Sequence, residues 1–284
     1  MQSLPAAPGA WPVDWVVPDW PAPGNVRALF TTRAGGVSSA PYASMNLGDH
    51  VGDQPAQVQA NRALLQRASG TRAVFLKQVH GSAVLTLDSA SSDGLQADAC
   101  VTTQRQLACT VMVADCLPVL LSTEVGDVVA AAHAGWRGLA GGGLEAGQNG
   151  VLEAVYASFR ALAQSGRAQA AIKTIAWLGP CIGPSAFEVG AEVRAAFVAA
   201  QPKASRCFVA LAPADASGEC KYLADLQGLA RLRLQALGVT QIYGNDGSAP
   251  WCTVSNPLRF FSHRRDASSG FGTTGRMAAC IWLD

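Results

Sequence analysis

Ala99-Cys-Val-Thr-Thr103, Leu107-Ala-Cys-Thr-Val-Met-Val113, Pro118-Val-Leu-Leu-Ser122 and Val128-Val-Ala-Ala-Ala-His133 are four short apolar, β-branched runs separated by turn chemistry. Their lengths, apolar character and bounding turns predict buried strands. Cys116 and His133 then fall at strand ends. Helical patterns lie between such strand clusters without strict β-α alternation. The expectation is one α+β domain of layered mixed β-sheets flanked by helices, with no doubly wound sheet.

Upstream, Val26 to Thr32 reads as a strand leading into the turn Arg33-Ala-Gly-Gly-Val-Ser38 and the polar loop Ser44-Met-Asn-Leu-Gly-Asp49. Pro55 to Ser69 reads as a helix. Val74 to Val79 and Ala83 to Leu87 read as a strand pair around His80-Gly81, which puts His80 in a tight corner. Downstream, Gly141-Gly142-Gly143 opens an amphipathic stretch, Leu144 to Gln164, in which Leu152, Val155, Phe159 and Leu162 recur at helical spacing. Further strands are expected near Ile172 to Leu178, Val239 to Tyr243, Phe260 to His263 and Met277 to Trp282, with helices near Glu188 to Ala200 and Ala224 to Leu237. Residues 1–25 form a Pro-rich segment, 26–284 a single domain, and no solenoid period recurs.

The chain has 284 residues, 49% hydrophobic and 14% charged, which argues against disorder. With 21 basic and 20 acidic side chains and no basic run, nucleic acid is disfavoured as a partner. No apolar run reaches the ~18 residues of a membrane span. The start lacks a charged n-region and an apolar h-region, so the cytoplasm is the expected location. Eight scattered Cys with no CxxC pair read as reduced thiols. Oligomeric state stays open between a monomer and a small homo-oligomer.

Gln78-Val-His80-Gly81, Ala114-Asp-Cys116-Leu-Pro118 and His133-Ala-Gly-Trp-Arg-Gly138 each put one good metal ligand on a turn, using two of only four His. His80, Cys116 and His133 suit Zn²⁺ with one position left open for chemistry. Their separations of 36 and 17 residues match a catalytic site assembled from several loops, not a clipped structural finger. The bland alternative is that both His bond to backbone and Cys116 packs as a small hydrophobe. Asp115 and Asp98 are carboxylates able to orient a ligand or move a proton, though Asp most often caps turns. Arg33 and Arg137 lie close to glycines and carry forks suited to phosphate. With a helix N-terminus after Gly143 they predict an anion pocket. His50 reads as a solvated loop residue and His263, beside Arg264, Arg265 and Asp266, as part of a surface ion cluster.

These stretches, together with Thr31-Thr-Arg33-Ala-Gly-Gly-Val-Ser38, Asn46-Leu-Gly48, Leu178-Gly-Pro180, Phe261-Ser-His-Arg-Arg-Asp266 and Thr274-Gly-Arg276, resemble the YfiH-like family, first labelled laccase-like or multicopper polyphenol oxidoreductase. The resemblance runs from about Val26 to the C-terminus. It implies a single α+β domain, zinc on the positions of His80, Cys116 and His133, and phosphorolysis of adenosine, inosine, guanosine and methylthioadenosine, with adenosine deaminase activity. Substrate and phosphate would meet Arg33, Asn46, Asp98, Arg137 and Arg264; Cys116, His80, Asp115 and Arg33 would serve the chemistry. Other relatives are described as peptidoglycan editing factors or copper-dependent phenol oxidases. Two departures stand out: Ala267 to Gly272 lengthens the spacing before Thr274, and His263 replaces a common aromatic residue.

Four His cannot build the copper set of a multicopper oxidase. One His₂Cys site with Met112 as axial ligand could hold copper, but a single copper does not reduce O₂ by four electrons unaided. Phosphorolysis would use Arg33 and Arg137 for phosphate, with metal and charge stabilising the developing cation. The usual nucleobase deaminase signature is absent, so Asp115 would have to shuttle the proton. A metal-free amide hydrolase with Cys116 as nucleophile, and a binding protein without turnover, remain the other classes.

Overall fold

Strand β5 (Leu107–Val113) shows why the apolar runs do not alternate in polarity. Its odd-numbered residues Cys109, Val111 and Val113 enter one core, while Ala108 and Met112 enter another. A strand covered on both faces reads as a continuous apolar run. The computed structural model describes residues 14–141, 149–165, 172–211, 220–268, 270 and 272–284.

In chain order the other elements are β1 (Val26–Phe30), α1 (Pro55–Ser69), β2 (Arg72–Phe75), β3 (Val84–Thr86), β4 (Ala99–Thr102), β6 (Leu117–Thr123), β7 (Val129–Ala134), α2 (Trp136–Ala140) and α3 (Val151–Gln164). They continue with β8 (Thr174–Leu178), β9 (Glu188–Val189), α4 (Ala191–Ala200), β10 (Phe208–Ala210), β11 (Tyr222–Ala224), α5 (Leu226–Ala236), β12 (Gln241–Gly244), α6 (His263–Ser268) and β13 (Met277–Leu283). A mixed sheet, β1-β13-β5-β2, stacks on a second mixed sheet, β12-β8-β6-β7-β4-β3, and β10-β11-β9 forms a small third.

The core between the two large sheets holds Phe30, Val111, Met277 and Ile281 from one and Cys100, Leu120, Val129 and Trp177 from the other. The six-stranded sheet turns its second face to α3, α4 and α5 through Val119, Leu121, Ala130, Leu152, Val155, Phe159, Phe197 and Leu229. Trp15, Met45, Leu47 and Leu65 cover the outer face of the four-stranded sheet. Val16 pairs with Phe30 in an antiparallel bridge, so residues 14–16 of the Pro-rich segment dock on the domain. The expected α+β layers are present.

Several expectations change. β2 and β3 do not pair: β2 lies parallel to β5 in one sheet and β3 parallel to β4 in the other, so residues 76–83 cross between the layers. The described helix α3 begins at Val151, and 144–148 of the expected Leu144 to Gln164 stretch lie outside the described residues. Glu188 and Val189 form a strand, and the helix starts only at Ala191 after Gly190. Phe260 to His263 is not a strand. Phe260 and Phe261 are fully buried, but Ser262 Oγ accepts the N–H of Arg265 at 3.2 Å and caps α6.

Candidate metal centre

The ligand atoms of His80, Cys116 and His133 all lie within 4.8 Å of one another. Among the described residues they are the one such group of His, Cys, Asp or Glu. The fold gathers them at one end of the two large sheets. β6 and β7 pair Leu117 with Ala134 and Pro118 with His133, which brings Cys116 opposite the chain that follows β7. His80 comes from the crossover between sheets.

His80 has φ +61 and Asp115 φ +83, and with Gln106 they are the described non-glycine residues in the left-handed region. Such backbone costs roughly 1–2 kcal/mol and persists where surroundings impose it. At the first corner, the Gln78 side-chain amide donates to Met112 O at 2.8 Å and accepts from Met112 N at 2.7 Å, extending the β2–β5 pairing by one residue's worth of bonds. Asp98 then receives the backbone N–H groups of His80 at 2.9 Å, Gly81 at 2.7 Å and Val79 at 3.2 Å.

The same carboxylate bonds His133 Nδ1 at 2.8 Å, leaving Nε2 as the free ring nitrogen. This carboxylate–imidazole arrangement fixes ring orientation and tautomer for a metal ligand. The two imidazoles meet edge to face with centroids 4.8 Å apart, and Cys116 Sγ is 3.7 Å from His80 Nε2. Gly135, next in chain, has no room for a side chain: a Cβ there would sit 2.8 Å from His80 Cδ2 and 3.1 Å from Cys116 Sγ. A Cβ on Gly138 would meet Gly81 O at 2.7 Å, so α2 rests directly on the His80 corner.

Burial pushes the Cys116 thiol up, but the imidazoles of His133 and His80 outweigh it and bring the thiol down to about 6. Burial lowers the His133 imidazole, yet the Cys116 thiolate and Asp98 raise it to about 9. Burial likewise raises the Asp98 carboxyl, and the His133, Gly81 and Val79 bonds hold it below its ordinary value. The candidate donor set is therefore a thiolate, the His133 imidazole oriented by Asp98, and the His80 imidazole on a backbone corner that Asp98 holds. His133 is 3% exposed, Cys116 half-buried and His80 exposed, so the group opens to solvent on the His80 side. These residues fit a tetrahedral ion with one position free.

The other expected residues are placed differently. Asp98 is 0% exposed with both oxygens engaged, so it orients ligands and does not face substrate. Asn46, also 0% exposed, donates to Gly48 O and Asp53 and accepts from Gly48 N and Arg276 N; it builds the 46–48 loop. Arg33 donates to Ala43 O twice at 3.1 Å and to Pro257 O at 2.8 Å, with its guanidinium 4.8 Å above the Phe261 ring. It straps two loops together. Arg264 spans to Ala186 O and Glu188 O. Asp115 accepts Thr253 Oγ1 at 2.5 Å and Arg264 N at 2.6 Å, so its carboxylate clamps loops behind Cys116. Arg137 alone of the expected arginines is exposed with no hydrogen bond or ion pair among the described residues, its guanidinium 4.4 Å from the Trp136 ring centroid.

Met112 packs its side chain with Met45, Leu47 and Trp282 in the outer cluster, whereas Cys116 packs against the core between the sheets; Met112 is no axial ligand. His50 faces Asp49 at 3.5 Å, and His263 is exposed at the start of α6. All eight Cys are free. Within the lengthened segment, 269 and 271 lie outside the described residues, as do Gly142 and Gly143 of the expected anion pocket. Sequence reasoning missed Arg276, whose guanidinium feels the charges of Cys116 and Asp115. Its signal was an arginine directly after a glycine and directly before the last buried strand.

Residues 27–284 match the family described as multi-copper polyphenol oxidoreductase laccase. The chain belongs to this family, the YfiH-like proteins. A Pseudomonas aeruginosa relative named purine nucleoside phosphorylase PA4543 is 46% identical over 269 residues, covering 95% of this chain and 98% of its own. Purine nucleoside phosphorylase YfiH of Escherichia coli K12 is also 46% identical, over 94% of this chain and 98% of its own. Among solved structures of YfiH-like proteins, Neisseria meningitidis protein NMB0706 superposes with a TM-score of 0.80 at 44% identity, covering 95% of this chain and 99% of that one. Among the described residues, no helix is long and apolar enough to cross a membrane.

Proposed function

We propose that this chain is a zinc-dependent purine nucleoside phosphorylase acting on adenosine, inosine, guanosine and methylthioadenosine, with adenosine deaminase activity at the same centre. The observation that carries the reading is the His80, Cys116, His133 group, open to solvent on the His80 side and tied to the buried Asp98 carboxylate, in a chain 46% identical over nearly its full length to a protein named purine nucleoside phosphorylase. A bound zinc ion would supply Lewis acidity and positive charge at the open position.

The chain's own residues do the rest. Asp98 holds His133 and the His80 corner, so the ligand geometry exists before substrate arrives. Arg137, exposed, two residues after Gly135 and without an ion pair among the described residues, is a cation available to phosphate. In phosphorolysis a phosphate oxygen bonds to the anomeric carbon as the C–N bond breaks; the electron pair leaves with the purine, which takes up a proton. In deamination water attacks the ring carbon bearing the amine, and ammonia leaves.

Phenol oxidation through several coppers is not the reading, because two of the four His lie outside the one ligand group and Met112 points away from Cys116. The test is metal content together with inosine and adenosine turnover, with and without phosphate, for wild type and Cys116→Ala. The expected result is phosphate-dependent base release and bound zinc in wild type, and loss of both in the variant. Full phosphorolysis by metal-free Cys116→Ala would sink the proposal. An amidase activity of metal-free protein, killed by thiol alkylation, would replace it with a cysteine hydrolase.

A further inference from the structure

An anion brought beside a thiolate needs a cation with free donors and no counter-ion, and most arginines near this site lack one or the other. Arg33 and Arg264 spend donors on backbone carbonyls, Arg62 faces Asp49 at 3.2 Å, and Arg265 pairs with Asp266 at 2.8 Å. Arg137 has no hydrogen bond or ion pair among the described residues but is exposed. Arg276 combines a partly buried, fixed stem with an open edge.

Its position follows from the sheet. β13 pairs Met277 with Val113, so Arg276, one residue earlier, leaves the sheet at the same end as Ala114-Asp115-Cys116. Its backbone is pinned on both sides: Arg276 N donates to Asn46 Oδ1 at 2.8 Å, and Arg276 O accepts Leu47 N at 3.0 Å. Gly48 makes way for the stem, since a Cβ there would sit 2.7 Å from Arg276 Cγ. One nitrogen, Nη1, donates to Thr274 O at 2.9 Å and Gly275 O at 3.2 Å, which sets the plane of the fork.

The other edge of the guanidinium, Nε and Nη2, has no acceptor among the described residues, and neither atom is sealed from solvent. Burial pushes the group's pKa down while Cys116, Asp115 and Tyr42 act to raise it, in keeping with its place at the Ala114-Asp115-Cys116 end of the sheet. Among the described residues no carboxylate forms an ion pair with it. A planar fork with two forward donors, a fixed stem and no counter-ion is built for a tetrahedral oxyanion.

We propose that Arg276 is the inner phosphate-binding residue of the centre, holding the attacking phosphate through Nε and Nη2 while Arg137 acts at the rim; this rests on the phosphorylase reading above. It accounts for the Asn46 and Gly48 cradle, which otherwise serves a side chain whose Nε and Nη2 donors are idle. It also assigns the inner phosphate contact to a residue other than Arg33, whose donors are engaged.

The test compares zinc-loaded wild type, Arg276→Gln, Arg276→Lys and Arg137→Gln by inosine phosphorolysis at varied phosphate and by calorimetric binding of inorganic phosphate, with zinc per chain measured in each. Arg276→Gln should raise the phosphate KM and Kd about 10- to 100-fold, the range of a lost charge-assisted pair. The nucleoside KM and zinc content should hold. Arg276→Lys should recover part of the loss, because it keeps charge but not the fork.

A phosphate KM and Kd in Arg276→Gln equal to wild type would overturn the inference while leaving the phosphorylase reading intact. If wild type binds phosphate through Arg276 but releases no base, the anion site stands and the phosphorylase reading fails. Absence of phosphate binding in wild type overturns the site itself. Should Arg276→Gln not fold, Arg276→Lys decides, with a raised phosphate KM at full zinc content supporting the site and an unchanged one overturning it.

Discussion

The two corners that present His80 and Cys116 share a backbone feature and differ in what imposes it. Each carries a left-handed non-glycine residue, His80 at φ +61 and Asp115 at φ +83. The His80 corner is held from outside, by Asp98, whose one carboxylate takes three backbone N–H groups and an imidazole. The Asp115 corner is held by its own side chain, reaching out to Thr253 and the first turn of α6. One carboxylate therefore couples two candidate metal ligands, and the other only steadies the loop beside a third. Two acidic residues that look alike in the sequence have unequal consequences.

The same substitution at each should show it. Asp98→Asn keeps volume but replaces one acceptor oxygen with a donor. With its oxygen toward His133 and His80, the new amide faces the N–H groups of Gly81 and Val79; flipped, it opposes those of His133 and His80. Either way buried donors lose their acceptor, at about 1–3 kcal/mol each. Zinc affinity should fall roughly 10- to 100-fold as ring orientation is lost. Competition with a chromophoric chelator measures it, and affinity within about twofold of wild type would break the comparison.

The buried strands were legible because both faces are covered, so Leu107 to Val113 and Leu117 to Thr123 are buried at every position and mostly apolar, with Thr110, Ser122 and Thr123 the hydroxyl exceptions. Helix α1 was legible to the residue because Pro55 opens it and Gly70, at φ +68, closes it. Strand partners were not legible: nothing local to Val74 or Ala83 says that β2 seeks β5 while β3 seeks β4. Phe260-Phe261 looked like a strand because burial selects the same residues in a loop, and the Ser262 cap decided otherwise. The three ligands stood out as scarce chemistry on turns. The arginines did not sort themselves, since whether a guanidinium is free depends on which carbonyls the fold brings to it. Arg33 and Arg264 find carbonyls; Arg276 keeps an open edge.

An intermediate effect is expected where the His80 and Cys116 corners meet. Gly135 stands between them, and a methyl there would press on His80 Cδ2 at 2.8 Å and Cys116 Sγ at 3.1 Å. Gly135→Ala should spread the ligand atoms while leaving the Asp98 bonds in place. Overpacking of this kind costs about 1–3 kcal/mol. The variant should fold with a modestly lower Tm and show an altered ligand-field spectrum when loaded with Co²⁺. A Co²⁺ spectrum identical to wild type would mean that the ligands tolerate movement, and that the corners are less rigid than their hydrogen bonds imply.

The smallest effect belongs to Asp115→Asn. Asparagine is among the residues that best accept φ above zero, so the backbone at this corner is not further strained. Its carbonyl can take the N–H of Arg264, and its amide can donate to Thr253 Oγ1, whose hydroxyl reverses from donor to acceptor. Both bonds survive with the charge removed. Zinc content should match wild type and stability should change by no more than about 1 kcal/mol, the net worth of the charge in bonds that remain made. Phosphorolysis should continue near the wild-type rate, since the carboxylate faces Thr253 and α6. A loss of activity at full zinc content would instead give Asp115 a proton-transfer role, and the two corners would then differ in chemistry as well as in support.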